Sequence, residues 1–62
     1  MTLQERMKVY RAKNRCTQRE LAKLCGVSAQ TIWSVEKGDQ EPSEITRIKI
    51  ELVVGRDDNE GD

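Results

Sequence analysis

Sixty-two residues make at most one domain, and a chain this short buries only about 60% of the surface its unfolded form exposes, so its core is marginal and self-association is a common remedy. With 35% of residues hydrophobic and no apolar run longer than Leu52-Val53-Val54, no segment spans a membrane or resembles a signal peptide, and a cytoplasmic protein is expected. Net charge is zero, yet residues 1–38 hold eight Lys/Arg against three acids and residues 39–62 three against eight, a division that suggests a surface meeting a polyanion, or else a set of solvated helix faces.

Leu3, Met7 and Tyr10 recur at i, i+4 and i+7 and predict an amphipathic first helix. It should start near Thr2, an N-cap with Glu5 three residues on, and stop near Asn14. Thr17-Gln18-Arg19-Glu20 is a capping box, in which hydroxyl and carboxylate satisfy each other's free amides. The second helix then runs to about Cys25, burying Leu21, Ala22 and Cys25. Gly26 ends it, because glycine takes the left-handed conformation at low cost. Val27 is a short apolar link, and Ser28 caps a third helix, Ala29–Lys37, that closes at Gly38. Cys16 and Cys25 match no common zinc spacing in a chain without histidine, and read as small apolar fillers kept reduced. There is no Gly-rich phosphate loop and no nucleophile with an evident base, so no enzyme, metal, cofactor or small-molecule ligand is expected.

Residues 39–42 form a polar loop, after which residues 45–54 read two ways. Six of those ten are β-branched, and Ile48, Ile50, Leu52 and Val54 alternate with period two, which favours a strand. Pro42-Ser43 before them and Gly55 after them punctuate a helix, the preferred reading. On a helical wheel Ile45, Ile48 and Leu52 make one apolar stripe, and Thr46, Ile50, Val53 and Val54 another about 150° away. Such a helix needs two partners, its own core and a second chain, and Ile45, Ile48 and Leu52 are assigned to dimerisation. Residues 56–62 are acidic and expected to be disordered, which leaves residues 1–55 as the domain.

The third helix raises the functional question. Ile32 and Val35 lie together with Thr31 beside them, while Gln30, Trp33, Ser34 and Lys37 point the other way. A surface helix usually carries charge on its outer face, and this one carries mostly uncharged groups. The stretch TQRELAKLCGVSAQTIWSVEKG resembles the Cro/repressor-type helix-turn-helix (XRE) family, to which the lambdoid phage repressors and Cro proteins belong. Leu21, Ala22, Cys25, Gly26, Val27, Ile32 and Val35 agree together with its structural positions; TLQERMKVYR is similar to its first helix, and EKG…PS to its link to the fourth. The resemblance implies an all-α, lambda-repressor-like bundle of four or five short helices. Its third helix would enter the DNA major groove of a pseudo-palindromic operator, one copy from each subunit of a homodimer.

Roles at individual positions follow from the same resemblance. Gln30 is the first candidate for direct readout, since a carboxamide pairs with adenine N6 and N7 at once for about 1–3 kcal/mol of discrimination. Ala29 suits a thymine methyl, Ser28 both caps and reaches a phosphate, and Ser34 stands where the family often has a longer reader. Trp33 replaces a usually polar residue and has two open roles, packing on thymine methyls and sugars or contacting a partner protein or the core. Thr17 and Gln18 open the second helix, whose positive dipole end suits a phosphate. Arg11, Arg15, Arg19 and Lys37 are further phosphate candidates, and Arg11 with Glu36 matches a partly buried ion pair of the family.

Departures from the pattern carry expectations too. Arg15 occupies a common glycine position, which predicts a first turn that is strained or differently shaped. Asp39-Gln40-Glu41 is acidic where related proteins often carry Lys or Arg, Glu44 and Arg47 replace apolar residues, and no counterpart of a fifth helix follows Gly55. The expected function is a Cro-like transcriptional repressor. Two alternatives stand beside it: a protein-interaction module acting as antirepressor or adaptor, and a DNA-bending excision accessory factor.

Overall fold

The computed structural model describes residues 1–55, which form four α-helices and no strand: α1 (Leu3–Asn14), α2 (Gln18–Cys25), α3 (Ala29–Lys37) and α4 (Glu44–Val54). The acidic segment 56–62, expected to be disordered, lies outside the described residues.

Side-chain caps set every helix start. Thr2 and Thr17 head complete capping boxes: their hydroxyls accept from the amides of Glu5 and Glu20 at 3.2 and 3.0 Å, and those carboxylates accept from the cap amides at 2.9 and 2.8 Å. Ser28 and Ser43 accept from the amides of Thr31 and Thr46 at 3.1 and 3.2 Å. At the turn between α2 and α3, Gly26 has φ +76°, and both its N–H and that of Val27 donate to the Ala22 carbonyl, at 2.9 and 3.0 Å. Arg15 ends α1 in the same left-handed region, at φ +50°, and is the only non-glycine residue there among those described. Of the two expectations for the first turn, it keeps a left-handed cap, which a non-glycine residue adopts at some cost.

The strand alternative for residues 45–54 is wrong. Residues 44–54 are helical because Ser43 caps them and because Ile50 and Val54, one turn apart, both reach the core. Tertiary burial outweighs the modest β preference of branched side chains. Met7, Leu21, Ala22, Cys25, Ile32, Val35, Ile50 and Val54 make that core, with Leu3, Tyr10, Cys16, Val27 and Val53 packed against it. α3 packs on α2 and α1, and α4 closes the bundle against α1 and α2. Ala22, 3% exposed, lies in the core beneath α3, where a small side chain permits close approach. Full burial of Met7, Leu21, Ile32 and Ile50 contributes about 1.5–3 kcal/mol each, the main support of so small a fold.

Candidate nucleic-acid interface

α3 is anchored along one side and free along the other. Ile32, Val35 and Glu36 are buried, Thr31 and Ser34 half-buried, and Ala29, Gln30, Trp33 and Lys37 exposed. At its first turn the Ser28 hydroxyl also bonds the Thr31 hydroxyl at 2.9 Å, which fixes the cap rotamer. Trp33 is 43% exposed, so the core role left open for it is excluded; the Lys37 ammonium sits 4.4 Å from its ring centroid. Lys37 also approaches Asp39 at 3.8 Å, a half-exposed pair that contributes little. The free face thus presents an amide, a methyl and an indole along a rigid helix.

A second group of side chains meets where α1, α2 and α3 converge. Arg11 grips Glu36 with two parallel bonds, Nε to Oε2 at 2.7 Å and Nη2 to Oε1 at 2.8 Å, while Gln18 Nε2 donates to Oε1 at 3.1 Å. Burial opposes ionisation of Glu36, but the bonds from Arg11 and Gln18, with the charges of Arg11 and Lys8, hold its carboxyl below the ordinary carboxylate range. The bond to Glu36 raises Arg11 in turn, against the desolvation that opposes it. Each partner keeps donors in hand: Gln18 has a second amide hydrogen, and Arg11 has guanidinium hydrogens that Glu36 does not use. Arg11 Nη1 also donates to the Cys16 carbonyl at 3.5 Å, and the network sits beside the start of α2, whose own amides carry partial positive charge.

Other expected site residues fall into place individually. Thr17 is committed to its capping box, Arg15 and Arg19 are exposed at the approaches to α2, and Ile45, Ile48 and Leu52 stand 68%, 47% and 81% exposed along one side of α4. Two features escape a reading of the sequence. Lys8 lines a cleft with Arg11, Ala12, Arg15, Cys16 and Thr17, and the i, i+3, i+7 spacing of Lys8, Arg11 and Arg15 was the available signal. A polar cleft of about 270 Å³ also separates Gln30 and Ser34 from Gln40, Ser43 and Thr46, a neighbourhood that no local pattern announces. Both cysteines are free; burial, reinforced by the Cys16 thiol, pushes the Cys25 thiol up, so it stays protonated and unreactive at neutral pH. No group of three or more His, Cys, Asp or Glu among the described residues is arranged to hold a metal, and no helix there is long and apolar enough to cross a membrane.

The sequence has counterparts among known proteins. Residues 7–59 match the family model described as Helix-turn-helix. The chain is 43% identical over 53 residues to an uncharacterized HTH-type transcriptional regulator of Methanocaldococcus jannaschii, covering 86% of this chain and 80% of that protein. Two uncharacterized HTH-type transcriptional regulators of Archaeoglobus fulgidus are 45% and 43% identical over 51 residues, with 82% of this chain and 72% and 73% of theirs covered. No solved structure matches the chain.

Proposed function

The chain belongs to the XRE-type helix-turn-helix family, and from that membership we propose that it is a DNA-binding transcriptional regulator, a Cro-like repressor that reads a pseudo-palindromic operator as a homodimer. One observation carries the reading: α3 is locked by Ile32, Val35 and Glu36 while Ala29, Gln30 and Trp33 stay open on its other side. Gln30 pairs with adenine, Ala29 meets a thymine methyl, and Ser34 adds a contact within the first turns. Arg11 and Gln18, held by Glu36, take a backbone phosphate at the start of α2, and Ser28, Arg19 and Lys37 take others. The exposed stripe Ile45, Ile48 and Leu52 pairs with its copy and sets the half-site spacing. A bound dimer then occludes a promoter.

Selection of binding sites from a random duplex pool tests this directly. The expected result is a two-fold symmetric consensus with an adenine in each half-site whose preference is lost in Gln30→Ala. Equal loss by that variant on selected and random duplexes would remove Gln30 as a reader. The exposed indole of Trp33 favours a second reading, a module that docks another protein through α3; in that case no duplex is enriched even at low salt, where phosphate contacts are strongest.

A further inference from the structure

We propose that Trp33 reads the C5-methyl group of a pyrimidine in the major groove, with Lys37 as the residue that positions its ring. The inference rests on the DNA-binding reading above and deepens it, because it gives the indole a ligand of its own. Trp33 is 43% exposed on the free side of α3, with Ala29 one turn before it and Lys37 one turn after it, both exposed. Four residues rise about 6 Å along a helix and pass a full circle by about 40°, so the three share one row. The Lys37 ammonium lies over the indole, 4.4 Å from the ring centroid, and also 3.8 Å from Asp39 Oδ2. Ring and carboxylate hold the ammonium at two points, and the ammonium in turn covers one face of the ring.

The direction of the side chains decides which face stays open. Helical side chains lean toward the N-terminus, so Lys37 covers Trp33 from the C-terminal side. The other face is left toward the first turn of α3, where Ala29 and Gln30 stand. An indole donates one hydrogen bond from Nε1 at its edge and none from its face, so what the face takes from the groove is apolar. Base edges in the major groove present donors and acceptors, and their one apolar group is the C5-methyl of thymine. 5-Methylcytosine carries the same group at the same place. A ring that the fold leaves in water has apolar area to bury, and a methyl in the groove is the partner that fits it.

The test uses the selected operator with each thymine replaced in turn by uracil, which removes the methyl and nothing else. Burying one methyl changes affinity about fourfold, so at least one thymine in each half-site should lose that factor in wild type. The position belonging to the indole is the one at which Trp33→Ala binds the thymine and uracil forms equally. That variant should keep the wild-type melting temperature, since the ring lies outside the core. With cytosine at the same position, 5-methylcytosine should bind about fourfold more tightly than cytosine. Selection of thymine there identifies thymine as the natural source of the methyl, and selection of cytosine identifies the modified base. Lys37→Ala should shrink the thymine-to-uracil ratio, whereas loss of a phosphate contact alone would lower both affinities together. Trp33 is the single tryptophan of the chain, so its emission should move to shorter wavelength when the operator covers it. Methyl ratios near one in wild type, a ratio that survives in Trp33→Ala, or unmoved emission overturns the methyl reading alone when the operator still binds tightly. An unchanged ratio in Lys37→Ala removes its positioning role. Failure of wild type to bind any duplex overturns the DNA reading and this inference with it.

Discussion

Among the described residues, Glu36 is the charged side chain that the fold buries, and three donors fix its carboxylate. Removing one partner of such a pair costs more than the pair contributes, because the remaining charge stays behind without compensation. Glu36→Gln should therefore lower stability by about 2–3 kcal/mol, readable in urea denaturation, a large share for a domain of this size. Because the native carboxyl titrates below its ordinary value of 4.5, the stabilisation is complete above that pH. It is lost as pH falls from there through the depressed native value, and wild type should weaken over that window more steeply than Glu36→Gln. A parallel acid response in both proteins would show that Glu36 is not the group responsible. At Arg15 the opposite direction holds: Arg15→Gly relieves a left-handed strain and should raise stability by about 1 kcal/mol, several degrees in melting temperature. The Arg11–Glu36 pair was legible only through resemblance to a family, since no spacing rule joins residues 25 positions apart. Lys8 went unread because its electrostatic reach to Glu36 is a tertiary fact.

At the scale of elements, local chemistry was the readable part. Thr2, Thr17, Ser28 and Ser43 announce four helix starts, and Gly26 and Gly38 announce two ends, because caps and left-handed turns are satisfied within a few residues of sequence. The start of α3 matters most, since it would present Ala29 and Gln30. Ser28→Ala removes the acceptor for the Thr31 amide and should cost about 1 kcal/mol, with fraying confined to the first turn of α3 by hydrogen exchange. Unaltered protection at Thr31 would mean that another group satisfies that amide. α4 was the ambiguous element, and for a physical reason. A run of branched residues satisfies both a period of two and a period of 3.6, and only the bundle decides by burying Ile50 and Val54. The same packing leaves Ile45, Ile48 and Leu52 outside, so one helix carries a core seam and an unpaired apolar stripe.

For the whole molecule, that stripe and the division of charge belong to one question, how many copies meet the duplex. A marginal core with three large aliphatic side chains exposed on its last described helix favours association, and two copies would double the proposed phosphate contacts. Leu52 is 81% exposed, so Leu52→Glu should leave the helical content and the melting temperature of the isolated subunit nearly unchanged. In a dimer it would place two carboxylates against an apolar seam, and sedimentation equilibrium should then find a monomer where wild type is a dimer. Joining two half-site interactions makes the second intramolecular, so affinity for the symmetric operator should fall on the order of 100-fold. Affinity for a single half-site should hold, since no DNA-facing group has changed. If wild type sediments as a monomer at micromolar concentration and still binds the full operator with one copy, the stripe on α4 has another use and the two-fold arrangement fails.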